Sequence, residues 1–102
     1  MRVKSSSGTS RWKQPSCKCH TWIEHWENNT CEKLPLTCPA CNSLVKRKSD
    51  WDGAHVRKVN GTDNKYYITP LCSSCNSKNE VEFDIESKYL VEANAATCRA
   101  NL

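Results

Sequence analysis

A small α+β domain folded around a bound metal is what this sequence predicts, on three observations. Two C-x-x-C pairs, Cys38-Pro39-Ala40-Cys41 and Cys72-Ser73-Ser74-Cys75, stand 30 residues apart. The 102-residue chain is hydrophilic, with a mean hydropathy of −0.75 and 37% apolar residues. Such a chain buries only a modest core and needs a cross-link to be stable. The segment between the pairs reads as a β-hairpin, and a helix signal precedes it.

The cysteine spacing carries the metal reading. Zn²⁺ takes four ligands in a tetrahedron with Zn–S near ~2.3 Å, and two cysteines two residues apart reach one ion from a tight turn. Pro39 fixes φ and presets the first turn. Cys38, Cys41, Cys72 and Cys75 are the expected ligands of one structural zinc, whose removal should unfold the domain. Two disulfides or inert buried thiols are the alternatives, and iron in the same four-sulfur site is chemically allowed. The segment from Met1 to Gly8 lacks the apolar core of a signal peptide, and no apolar run approaches the ~20 residues of a membrane span. A cytoplasmic chain with reduced thiols and no membrane partner is therefore expected.

The elements follow in order. Residues 1–16 carry Arg2, Lys4, Arg11 and Lys13 and no acid, and are expected as a flexible basic arm, ordered from Trp12 at the earliest. Residues 17–102 are expected as a single domain. Thr21 and Glu24 make a capping box, so a short helix should start there and end at Asn28-Asn29. Trp22, Ile23 and Trp26 then share one face, expected to pack into the core, with a base-stacking platform as the alternative. Cys17, Cys19, His20, His25, Cys31 and Cys98 are candidates for a second metal site, with Cys17 and Cys19 plus His25 or Cys98 first among the combinations. A C-x-C pair is the weaker signature, and reduced structural cysteines are the alternative.

Ser43 to Lys48 reads as a short strand or loop ending in three cations. Ala54 to Val59 reads as a strand, Asn60-Gly61 as a turn extended by Asp63-Asn64, and Tyr66 to Thr69 as the returning strand, closed by Pro70. The second cysteine pair should open a helix running to about Asn79. Val81, Phe83 and Ile85 alternate with Glu82, Asp84 and Glu86, the pattern of a half-buried strand. Tyr89 to Val91 is a candidate last strand, and Ala93 to Leu102 a weak tail.

The order of knuckle, loop, hairpin and helix, carried by Cys38, Cys41, Gly53-Ala54-His55-Val56, Ile68-Thr69-Pro70-Leu71 and Cys72 to Asn76, resembles the treble-clef zinc fold of HNH-type (ββα-metal) nucleases. The resemblance covers about residues 36–80, and the run from Gly53 to Asn76 is also similar to small bacterial and phage proteins of that HNH-like group. It implies His55 as general base and Asn76 as a ligand of a catalytic Mg²⁺ or Mn²⁺. Ala54 stands where the family usually has its metal-binding Asp, and Tyr67 where the loop-bracing Asn is expected. Asp50 and Asp52 are the nearest carboxylates to His55.

Charge gives the partner reading. The formal net charge is +4, and residues 1–79 hold thirteen Lys and Arg against six Asp and Glu, while residues 80–102 hold two against five. A basic body with an acidic end fits a polyanion such as DNA or RNA, and Lys46-Arg47-Lys48 is the leading phosphate-contact candidate, with Arg57 and Lys58 on the hairpin. Three functions are expected candidates: a nucleic-acid-binding zinc domain with a degenerate catalytic motif, an active HNH-type nuclease, and a zinc-held protein-interaction module presenting Trp12, Trp22, Trp26 or Trp51.

Overall fold

The computed structural model describes residues 1–6, 15, 17–61, 65–78 and 80–101. Its centre is a five-stranded antiparallel sheet with strands β1 (Arg2–Ser5), β2 (Trp51–Lys58), β3 (Tyr67–Cys72), β4 (Glu82–Asp84) and β5 (Val91–Glu92), in the spatial order β4-β1-β2-β3-β5. Helix α1 (Trp22–Asn28) packs on one side, and a single turn of helix, α2 (Ser73–Asn76), follows β3 directly. The radius of gyration is 12.5 Å, close to the ~13 Å of one domain of about 100 residues. No helix among the described residues is long and apolar enough to cross a membrane.

The hairpin β2–β3 forms as the sequence predicts, one residue shorter on each strand at the turn and longer at its open end. Strand β2 begins at Trp51, and β3 runs through Pro70 to Cys72 instead of stopping at the proline. Pro70 is tolerated because β5 pairs only with Tyr67 and Ile68, so the strand has one neighbour at that point. The turn closes with Gly61 N–H donating to the Lys58 carbonyl at 3.3 Å. Arg11, Trp12, Lys13, Asp63, Asn64 and Asn79 lie outside the described residues.

Part of the expected flexible arm is a strand. Arg2–Ser5 pairs with β2 on one side and β4 on the other, with Val3 fully buried opposite Phe83 and Lys58. Four residues of alternation are too short a signal to read, and the partners lie far along the sequence. The outward positions are charged: Arg2 meets Asp84 at 3.2 Å and Glu82 at 3.7 Å, and Lys4 meets Glu80 at 3.8 Å. Part of the contrast between basic body and acidic end is thus neutralised within the sheet, as cross-strand pairs.

Side-chain parity divides the sheet into two faces. Val3, Ala54, Val56, Tyr67, Leu71 and Phe83 build the main core on one face. On the other, α1 lays Trp26 on Ile68 and Val91. Thr21 caps α1 by accepting from Glu24 N–H at 3.1 Å, and the Glu24 carboxylate accepts from His20 N–H at 3.3 Å, one residue before the reciprocal contact of a standard box. Trp26 Nε1 donates to the Tyr89 carbonyl at 2.8 Å, satisfying its buried polar edge.

Other expectations change. Helix α2 ends at Asn76, short of the expected end near residue 79. Leu44 forms only an isolated bridge to Thr37, and Lys48 opens a 3-10 turn to Asp50. The strand expected at Tyr89 to Val91 is shifted: Ser87–Tyr89 is a 3-10 turn and β5 is Val91–Glu92. The weak tail is two further 3-10 turns, Ala95–Thr97 and Arg99–Asn101, with Cys98 buried between them.

Candidate metal centres

Cys38 and Cys41 sit on a tight knuckle. Cys38 N–H donates to the Ser43 carbonyl at 2.9 Å, and Asn42 N–H donates to the Cys38 carbonyl at 2.8 Å. Asn42 takes a φ of 62°, a left-handed value that asparagine tolerates better than most residues. Cys72 ends β3 and caps α2, and Cys75 lies inside α2. These placements bring the four sulfurs within 4.8 Å of one another.

Their spacing distinguishes the candidate chemistries. A disulfide holds its sulfurs near ~2.05 Å. A tetrahedral zinc with Zn–S of ~2.3 Å places neighbouring sulfurs about 3.8 Å apart. Cys41 Sγ and Cys72 Sγ are 3.8 Å apart, and all described cysteines are free thiols. Backbone amides point at the sulfurs, Cys72 N–H at Cys38 Sγ (3.5 Å) and Cys75 N–H at Cys72 Sγ (3.4 Å), as suits thiolates. Burial pushes the Cys72 and Cys75 thiols up, while hydrogen bonds from the Ser43 hydroxyl and backbone hold the more exposed Cys41 down at about 6. Four such sulfurs, three of them buried, cannot all be anionic side by side without a cation, and the donor set fits one zinc.

A second group forms at the far end of α1. Cys17, Cys19, His25 and Cys98 bring three sulfurs and one ring nitrogen within 4.8 Å of one another. Both His25 and Cys98 join the C-x-C pair, where the sequence left the choice between them open. Of the other candidates, His20 and Cys31 are exposed and lie outside the group. The sequence signal missed is Asn28-Asn29, which marks more than a helix end: both side-chain amides donate to sulfur, Asn28 to Cys19 and Asn29 to Cys98, each at 3.3 Å.

The residues that the nuclease resemblance implies do not come together. Gly53 and His55 face α1: a methyl at Gly53 would meet the Trp22 backbone, and the His55 ring lies edge-on to Trp22 with centroids 4.4 Å apart. Asp52 has the opposite parity on β2, and its carboxylate accepts from Asn76 Nδ2 at 3.0 Å and from Ser73 Oγ at 3.2 Å. The His55 ring and the Asp52 carboxylate that holds Asn76 thus leave β2 on opposite faces. Asp50 pairs with Arg47 at 3.2 Å. His55 is buried, and desolvation lowers its pKa to about 4. Its ring packs against Trp22 with Nε2 buried; a metal-dependent hydrolase needs its base and its metal ligands on one side of the reacting phosphate.

Comparison of the chain with protein-family models and curated proteins, and of its fold with solved structures, finds no match. The geometry itself defines a small α+β protein with an antiparallel sheet and two four-donor clusters of the kind that hold zinc, one of four cysteines and one of three cysteines and a histidine.

Proposed function

We propose that this protein is a zinc-stabilised, non-catalytic nucleic-acid-binding module with a treble-clef, HNH-like core. The knuckle at Cys38 and Cys41, the β2–β3 hairpin and α2 come in the order of that fold, and their four thiols meet at one point. The metal's role in the module is to hold this small unit together.

The observation that carries the nucleic-acid reading is Lys46-Arg47-Lys48, three consecutive cations on a backbone anchored at both ends. Val45 N–H donates to the Leu36 carbonyl at 3.0 Å, tying the run to the knuckle, and β2 begins three residues after it. Arg47 pairs with Asp50, and Lys48 pairs with Glu27 at 2.8 Å. Such exposed pairs contribute little and exchange readily for phosphate. The three tryptophans among the described residues fit the interaction-module alternative poorly: Trp26 and Trp51 are buried and Trp22 half-buried.

The test is fluorescence anisotropy with labelled duplex DNA, single-stranded DNA and RNA over a salt series. Binding by the wild type should fall steeply with salt. Replacing Lys46, Arg47 and Lys48 together by Ala should flatten the log–log slope by roughly 2–3, at about 0.7–0.9 for each phosphate no longer engaged. Equal affinity and slope in the two proteins would remove the reading, as would absence of binding at low salt.

A further inference from the structure

The group formed by Cys17, Cys19, His25 and Cys98 has the makings of a site, and the knuckle in the core does not account for it. Its edges match one tetrahedral ion. Cys19 Sγ and Cys98 Sγ are 3.6 Å apart, and Cys17 Sγ and His25 Nδ1 are 3.3 Å apart. Zinc bonds of ~2.3 Å to sulfur and ~2.0–2.1 Å to nitrogen place such pairs at about 3.8 and 3.6 Å. The donors are also buried where a ligand set should be: His25 is 1% exposed, Cys98 2% and Cys19 4%.

The surroundings orient each donor. His25 Nε2 lies 2.9 Å from the Glu92 carbonyl, which can only accept, so the ring carries its proton on Nε2 and turns a bare Nδ1 toward the sulfurs. Asn28 and Asn29 give N–H to Cys19 and Cys98, the hydrogen bonding that thiolates want. Asn29 also accepts from Arg99 N–H at 2.6 Å and donates to the His25 carbonyl at 2.7 Å, fixing the segment that carries Cys98 against the end of α1. Separations below 4.8 Å among all four donors leave room for one ion between them.

We infer that Cys17, Cys19, His25 through Nδ1 and Cys98 form a second zinc site, of three sulfurs and one nitrogen, that fastens the C-terminal turns to α1. It is a closed structural site: four protein donors fill the tetrahedron and leave no position for water or substrate. Three thiols lose their protons on binding and the imidazole stays neutral, so the loaded site carries one net negative charge. This inference does not depend on nucleic-acid binding.

The experiment uses the protein purified under reducing conditions without added metal. Elemental analysis should find two zinc ions per chain. Cadmium exchanged for zinc should give two resonances, the mixed sulfur–nitrogen site more shielded than the all-sulfur site. Cys98→Ser should drop the content to one zinc and remove only the mixed-site resonance. His25→Cys should keep two ions and convert the mixed-site resonance to an all-sulfur one, a result that no packing role predicts. One zinc per chain in folded wild type, or two resonances both of the all-sulfur type, would overturn the assignment. So would a disulfide between Cys19 and Cys98 in the reduced preparation, seen as two missing hydrogens by intact mass. If Cys98→Ser fails to fold, the wild-type cadmium spectrum still decides.

Discussion

Gly53→Ala tests the seam between α1 and the sheet. A methyl at Gly53 would lie 2.4 Å from the Trp22 carbonyl carbon, 2.5 Å from Ile23 N and 2.7 Å from Trp22 Cβ. Ordinary contact begins near 3.4 Å, so the helix must retreat by about 1 Å, and the nearest obstacles are backbone that no rotamer change can clear. A gap of that size forfeits roughly a quarter to a half of each dispersion contact along the seam. Trp26, His25 and Ile68 are all fully buried there. Overpacking of this kind costs about 1–3 kcal/mol, and the rigid obstacle puts this case at the upper end. Alanine restricts the unfolded chain and returns about 0.4–1 kcal/mol, leaving a net loss of about 2 kcal/mol. For a domain this size that lowers Tm by roughly 8–16 °C. The assay is thermal and urea unfolding at fixed protein and zinc concentration, with zinc per chain measured alongside so that a lost ion is not mistaken for lost packing. A change below about 0.5 kcal/mol would refute the close approach of α1 to β2.

Two further outcomes follow. Val3→Ala removes two fully buried carbons from a strand flanked on both sides, so it should cost about 2 kcal/mol by urea unfolding; a neutral effect would mean that Arg2–Ser5 is the loose arm its composition resembles. His55 should titrate by NMR with a midpoint near 4 instead of 6.5, because burial disfavours its charged form. Its neutral burial contributes stability fully above the unfolded value of about 6.5, lost progressively as the pH falls toward 4. A midpoint at 6.5 in folded protein would show the ring to be wet.

The parts legible in the sequence are those whose signals are local. The capping box at Thr21 and Glu24 positions α1, Asn60-Gly61 marks the hairpin turn, and Val81, Phe83 and Ile85 alternate into the core as their spacing requires. The knuckle cysteines are equally readable, since each pair is held by its own turn. The misreading of Arg2–Ser5 depends on distant partners, since nothing within it reveals that Phe83 and Val56 will flank it. Cys98 is legible as a candidate ligand beside Cys17 and Cys19; only the choice between it and His25 is not, and the structure brings in both. His55 matches a motif position, yet it lies an odd number of positions from Asp52 on one strand, so the two side chains point to opposite faces. That parity is available from the sequence.

Strand β1 pairs with β4 across nearly the whole chain. As the polypeptide leaves the ribosome, the knuckle and the β2–β3 hairpin can close early, because their contacts are comparatively local. The first strand must wait for β2 on one flank and, longer still, for β4 on the other. In that interval an apolar edge carrying Val3 and Val56 is exposed to neighbouring nascent chains. Docking of β4 closes that edge and brings Glu82 and Asp84 to Arg2, while Glu80, two residues ahead of the strand, meets Lys4.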